Sequence, residues 1–487
     1  MRPLPPPRFV RPLSAALALA LLAGCASTHG LAPASSPRDP DALTATETFS
    51  GTLSPAAWPS PQWWRAWNDP QLDALMTEAL AGTPSLAAAD ARVRKAAAQA
   101  ELTDAARQPS TTGSVRYSGA YLPESLVPAP FGGEYKGVEL GMVQFAYAPD
   151  LWGGQRARWE AAVDLARAAE IDAQQARLLL SANIARAYVG LAQAFDAKAV
   201  AESEAARASR QLELARSRAR AGLDNALQTR QSEGAVAAAT QQAQAAQQRI
   251  DALRNALAAL LGQGPDRGLS IAAPALLETD APALPSALPS ELLGHRPDVV
   301  AARWRVEAAS RGIDASKAEF YPSVNLSAMV GLAAGKLSDL FTRDAAFGTG
   351  GPAISLPIFN GRRLRGQLAT SDADYDLAVA QYDQSLVGAL REVADALQGA
   401  RALDTQLAAL ADAREAARKA RALAETRQRA GLGTRLDVLA AQKPVLQLDA
   451  QIAALRAERR NAAADLAVAL GGGATPSSPD SSSRTAP

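Results

Sequence analysis

The sequence predicts a mostly α-helical protein with a β-sheet of membrane type, built as two copies of one unit of helices and a strand pair. Three observations predict it. From Gln155 to Ala221, and again from Gly361 to Ala430, a helical pattern runs without a proline. Four short stretches switch to apolar–polar alternation, the period of a strand with one wet and one dry face. Matching landmarks in the two halves are offset by 207 to 213 residues throughout, the mark of an internal duplication.

Composition narrows the classes. The 50 basic and 49 acidic residues nearly cancel, so a nucleic-acid partner has no electrostatic footprint. Aromatics are only 5% of the chain, and the abundant alanine suits long, closely packed helices better than a bulky core.

The N-terminus reads as a leader. Arg2, Arg8 and Arg11 give a basic start, Leu13 to Leu22 an apolar run, and Leu22-Ala-Gly-Cys25 a small-residue cleavage site. The run is too short to span a bilayer permanently. Residues 1–24 are therefore expected to be a lipoprotein signal peptide, with Cys25, the sole cysteine, acylated and bound to membrane lipid. An ordinary secretory signal with a chance cysteine is the alternative. Ala26 in place of an aspartate resembles lipoproteins of the outer membrane. Residues 25–62, rich in Ser, Thr, Ala and Pro, read as a lipid-anchored, extended tether. The tail 471–487 reads as disordered.

The first repeat is expected over 63–264. Trp63, Trp64 and Trp67 mark a packing seam, or less simply a binding surface. Pro84 starts a helix that ends before Pro109. Strands are expected at about 114–122 and 136–148. In the first, Val115, Tyr117 and Tyr121 oppose Ser114, Arg116 and Ser118; in the second, Val138, Leu140 and Met142 alternate with Glu139 and Gly141. Phe145 and Tyr147 near that strand's end suit a membrane interface. A long hairpin follows over 155–262, folding back at Gly222. Its first helix, at 1.5 Å per residue, is a rod of roughly 100 Å, which excludes a compact domain.

A proline-rich connector is expected over 265–289, then the second repeat over 290–470. Pro297 and Pro322 repeat the landmarks Pro84 and Pro109. Strands are expected at about 323–332, where Val324, Leu326, Ala328, Val330 and Leu332 alternate with Ser323, Asn325 and Ser327, and at 352–358, where Ile354, Leu356 and Ile358 alternate with Ser355 and Pro357. The second long hairpin covers 361–470 and folds back at Gly431.

Four strands cannot close a barrel, and lipid does not tolerate an open sheet edge. Several chains must then pool their strands, and three would give twelve, with apolar faces to lipid and polar faces around a water-filled lumen. A soluble sandwich sheet at the end of a coiled coil is the competing reading. Ala413, Ala416, Ala417, Ala420 and Ala424 form a small-residue stripe that lets neighbouring helices approach closely.

The ordered motifs Trp-Trp…Asp-Pro, Asp-Leu-Trp-Gly, Arg-Ala-Gly-Leu, Leu-Leu-Gly, Arg-Pro-Asp, Pro-Ile-Phe-Asn-Gly, Arg-Glu-Val and Ala-Leu-Gly-Gly-Gly resemble those of the outer-membrane efflux proteins, TolC-like, in the lipoprotein branch typified by OprM and NodT. The similarity runs from Trp63 to Gly473. Each motif is weak alone; their order is specific. The resemblance implies a homotrimer with a twelve-stranded outer-membrane barrel and a long α-helical periplasmic tunnel. It also implies passive export of drugs or other small molecules with a periplasmic membrane-fusion adaptor and an inner-membrane pump of the resistance-nodulation-division type.

No catalytic constellation, cofactor site or metal site stands out. His295 reads as a local packing or capping residue, and Arg296-Pro297-Asp298 as a helix start. Function is then expected at the hairpin tips, where Arg220, Gly222 and Leu223 in the first, and Arg429, Gly431, Leu432 and Thr434 in the second, offer turns for an adaptor. A plain turn needing positive φ at glycine accounts for the same residues. By resemblance, charges near the second tip close the tunnel between subunits, and Arg421, Arg427, Arg435 and Asp437 are those available. Many relatives carry an acid after the Gly-aliphatic pair. Asp224 fits, but the second tip has Gly433, so the acidic ring is expected to be missing or moved. Pro444 is expected to kink the last helix. A lipid-anchored coiled-coil tether or adhesin without a pore is the alternative function, and an enzyme a distant third.

Overall fold

The structure, a computed structural model, describes residues 27–43, 58–121, 123–125, 132–277 and 292–474. The leader, Cys25 and the chain beyond 474 lie outside the described residues. In chain order the elements are α1 (Pro70–Gly82), α2 (Pro84–Ala105), β1 (Ser110–Tyr121), β2 (Tyr135–Tyr147), α3 (Gly154–Arg220), α4 (Ala226–Leu260), α5 (Pro265–Leu269), α6 (Leu292–His295), α7 (Pro297–Ala318), β3 (Ser323–Ala334), β4 (Ala346–Ser355), α8 (Gly361–Arg429) and α9 (Arg435–Ala469). The chain divides into two compact units, one of residues 1–37, 93–169 and 302–382, the other of 38–92, 170–301 and 383–487.

The first unit holds a four-stranded antiparallel sheet in the order β1-β2-β3-β4. Among the described residues both edges, β1 and β4, are unpaired within the chain. Paired residues share a face, so the register assigns every side chain. One face carries Val115, Tyr117, Val143, Phe145, Val330, Leu326 and Ile354, all exposed. The other carries Ser114, Arg116, Ser118, Gln144, Asn325, Ser327 and Thr349.

Two strands differ from expectation. Val138, Leu140 and Met142, expected on the apolar face, pair with Ser118, Arg116 and Ser114 and lie on the polar one. β2 has apolar residues in both phases of its alternation, so composition could not decide the phase and pairing did. The last strand is Ala346–Ser355, not 352–358. Gly348, Gly350, Gly351 and Pro352 weaken it as a strand on paper, but β3 holds it in register from Leu332 opposite Ala346 to Ser323 opposite Ser355.

Beneath the sheet a small core joins Ile313 and Phe320 to Leu364 and Leu368, with Leu31 and Tyr375 packed against it. The start of the expected tether is held in place, since the Asp376 carboxylate accepts from the backbone N–H of Ala34 (3.1 Å) and Ser35 (2.8 Å). Those bonds hold the Asp376 carboxyl below the usual range, Ala34 contributing most.

The second unit is helical. Its main core packs Trp64 and Trp67 with Leu72, Leu75, Met76, Ile184, Tyr188, Ile250, Leu257 and Ile271. Trp63 meets both buried tryptophans edge-on at 5.8 Å, an aromatic packing seam rather than an open binding face. Asp69 caps α1 through Gln71 and Leu72 N–H, accepts from the Tyr188 hydroxyl (2.9 Å) and holds the Ala275 N–H (2.9 Å). The expected connector therefore begins as packed structure: Arg267 of α5 pairs with Glu78 (2.8 Å), Ile271 belongs to the core, and 278–291 lie outside the described residues. His295 stacks on Trp58 at 3.9 Å, and buried Arg296 bonds Asp298, Glu392 and the Ala469 carbonyl. The Gly471 and Gly472 N–H groups bond back to the Val468 and Ala467 carbonyls, so the expected disordered tail starts as a helix cap.

Candidate functional site

Two places have the makings of a working surface: the sheet, in the first unit, and the two helical tips, in the second.

At each tip the first long helix ends identically. The Leu223 N–H bonds the Arg218 carbonyl and Gly222 N–H the Ala219 carbonyl; Leu432 N–H bonds Arg427 and Gly431 N–H bonds Gln428. These are Schellman caps, and Gly222 (φ +68°) and Gly431 (φ +71°) supply the left-handed residue each requires. Leu223 and Leu432 follow them, 66% and 73% exposed. An apolar side chain presented to solvent beside a rigid turn can serve a partner helix. Arg220 and Arg429 are exposed beside them, and Arg429 also bonds the Thr426 hydroxyl (3.1 Å).

The next residues differ. In the first tip Asp224 reaches back to Arg218 (2.7 Å), and the Asn225 side chain caps α4 by accepting from Leu227 and Gln228 N–H. Asp224's bond raises the Arg218 guanidinium above its usual value. In the second tip Gly433 leaves Arg427 without that acid, and Arg427 instead approaches the Leu432 carbonyl at 3.4 Å. The acid stands further on: Thr434 and Asp437 form a capping box, with Thr434 N–H to Asp437 at 2.7 Å and Asp437 N–H to the Thr434 hydroxyl at 3.3 Å. The Thr434 N–H, then its hydroxyl, hold the Asp437 carboxyl below its usual range.

Of the four charges singled out for closure, Arg427 and Asp437 come close enough within one chain to act on each other. Arg421 pairs with Glu425 on its own helix (2.9 Å), Arg427 and Asp437 act inside their turn, and Arg435 is exposed at the start of α9. The capping box was missed as well, although the Thr-x-x-Asp spacing is the signal that could have found it; Arg218 as the partner of Asp224 was missed because a turn had to bring them together. α9 continues as one helix through Pro444. Cys25 lies outside the described residues.

Where strands give way to helices, Trp152 stacks on Tyr321 at 4.8 Å and donates to the Pro322 carbonyl (2.7 Å). Beside them a cavity of about 370 Å³ is lined in part by Asp150, Gln155, Arg158, Glu319 and Arg363. Arg158 and Arg363 both address Glu319, at 2.5 and 3.6 Å. Aromatics with ionic partners next to an exposed apolar sheet face match a membrane–water boundary. The helix apolar enough by composition to cross a membrane, α3, has 56% of that window buried, so the sheet is the better membrane element.

The family model for the outer membrane efflux protein matches residues 75–263 and 288–472. The chain is 39% identical over 365 residues to the fusaric acid resistance protein FusA of Burkholderia cepacia, covering 74% of this chain and 69% of FusA. Among solved structures it is similar to the outer membrane protein VceC of Vibrio cholerae (36% identity, TM-score 0.77, 85% of this chain and 100% of that one). It is also similar to the outer-membrane channel OprN (28% identity, TM-score 0.79, 92% and 99%). With its two-faced, open-edged sheet and duplicated helical hairpins, the chain belongs to the outer membrane efflux protein family, as an efflux channel of TolC-like fold in the outer membrane that extends into the periplasm.

Proposed function

We propose that three copies of the chain assemble into a twelve-stranded barrel continued by a helical tunnel, a passive conduit without enzymatic activity. The observation that carries this reading is the sheet. Two unpaired edges, one exposed apolar face and one polar face satisfy a bilayer only when copies join edge to edge. Ala413, Ala416 and Ala420 are exposed on α8, which leaves a smooth surface for a neighbouring helix.

Cys25 carries the lipid that adds a second hold on the outer membrane. At the tips Leu223 and Leu432, with Arg220, Gly222, Arg429, Gly431 and Thr434 around them, receive a periplasmic adaptor, which links the channel to an inner-membrane pump of the resistance-nodulation-division type. Of the charges assigned to closure, Arg435 and Arg421 are the ones taken to reach a neighbouring subunit; Arg427 and Asp437 are engaged in their own turn, and Arg421 would exchange its partner Glu425 for one across the interface. Drugs and other small molecules are the cargo.

Planar-bilayer recording on the purified lipoprotein tests the core of this: a trimer with stepwise conductance is expected, and a monomer that never conducts overturns it. Cys25→Ser should abolish acyl labelling while leaving the trimer. Leu223→Asp with Leu432→Asp should leave conductance intact and remove adaptor crosslinking. Unchanged crosslinking would exclude the tips as the docking surface.

A further inference from the structure

The polar face of the sheet is interrupted at one level. Met142 on β2 pairs with Gly331 on β3, and Gly331 pairs with Phe347 on β4, so the two large side chains flank a glycine on the same face. A Cβ placed on Gly331 would stand 2.9 Å from Met142 Cβ and 2.9 Å from Phe347 Cε1, besides 2.4 Å from the Gly141 carbonyl oxygen. The ring and the methionine stem close over the bare backbone. Leu140 extends the patch opposite Ala333, and Met329, opposite Gln144 and Thr349, extends it along β3. Leu140, Met142, Met329 and Phe347 are each half-buried, whereas Ser114, Arg116, Ser118, Asn325, Ser327 and Thr349 on the same face are exposed. The register places the four apolar side chains near one another on a face otherwise lined largely by polar groups.

That placement is costly unless it is used. The face bearing serine, asparagine and arginine is the one that lines water in a membrane barrel, since those groups have no partners in hydrocarbon. An apolar patch there gives up hydration for no lipid contact.

We propose that Leu140, Met142, Met329 and Phe347 form an apolar collar inside the barrel, repeated by each copy, which sets the channel's preference for apolar and amphipathic aromatic cargo over hydrated ions. The inference rests on the trimeric barrel proposed above. A hydrated ion passing the Met142–Gly331–Phe347 level meets one hydrogen-bonding side chain per copy, Ser114 opposite Met142, and an apolar constriction tends to dewet. An apolar or planar aromatic molecule loses little there, and methionine adapts to varied shapes while phenylalanine offers a ring to stack on.

The test is single-channel recording in potassium chloride on the full chain, beside export by cells of an apolar aromatic dye and a hydrophilic, uncharged dye. Phe347→Ser with Met142→Ser should raise conductance about twofold or more and lower the apolar-to-hydrophilic export ratio severalfold. Phe347→Leu keeps the collar apolar and should change neither. Should the double serine variant fail to form trimers, Met329→Gln, at a position already beside Gln144 and Thr349, gives the same readout. Raised conductance supports the collar. Wild-type trimers that conduct, with serine or glutamine variants unchanged in both measurements, overturn the collar alone. A wild-type protein that never conducts overturns the barrel reading instead.

Discussion

The two hairpin tips descend from one sequence and have kept one half of their chemistry. The incoming helices end in the same hydrogen bonds around Gly222 and Gly431. The outgoing helices begin differently: Asp224 is tied back across the turn to Arg218, while Asp437 is folded into the first turn of α9 with Thr434. The glycine half is constrained by backbone sterics, which few residues satisfy. A helix start has several side-chain solutions of nearly equal worth, so it drifts after duplication. At the second tip Gly433, not an acid, follows Leu432.

The comparison can be broken most decisively at the glycines. Gly222→Ala and Gly431→Ala should each lower local stability by about 1–2 kcal/mol, equally at both tips, as read by amide hydrogen exchange across the turns. A loss at one tip only would show that the caps are not equivalent in solution.

Next come the helix starts. Asn225→Ala and Thr434→Ala should each cost about 1 kcal/mol. Thr434→Ala should be the worse, because it removes both the acceptor for Asp437 N–H and a donor to the Asp437 carboxylate. Exchange rates of the first-turn amides of α4 and α9 report both.

Acid sharpens the contrast further. The Asp437 carboxyl is held below its usual value in the folded tip, so its stabilisation is fully present above the unfolded pKa and is lost as pH falls through the folded one. First-turn protection in α9, taken relative to the intrinsic exchange rate at each pH, should fall below the ordinary carboxylate range, and Thr434→Ala should flatten that dependence.

The smallest effects are expected from the ion pair. Arg218 and Asp224 are 34% and 21% exposed, so Asp224→Ala should cost only a few tenths of a kcal/mol. Gly433→Asp should return no more than that, since its Cβ would sit 3.5 Å from the Asp437 carboxylate as well as 3.4 Å from Arg427. A larger gain would mean that Arg427 is waiting for an acid.

The long helices, their glycine turns, the number of strands and the duplication are all legible in the amino-acid order, because each is written in local periodicity or in spacing that needs no partner. Proline-free runs made α3 and α8 legible almost to the residue, while Thr434 and Asp437, read as docking and gate residues, prove to cap α9. Only tertiary structure decided which way β2 faces. Its apolar residues at 138, 140 and 142 and at 143, 145 and 147 offer both phases, and the register with β1 and β3 chose between them. Pairing with β3 likewise made a strand of Gly348-Thr-Gly-Gly351, and Asp69 and the Trp64–Trp67 core drew the head of the proline-rich connector into the fold. Local pattern fixes an element's period; which of its faces meets water is settled by the neighbour it bonds to.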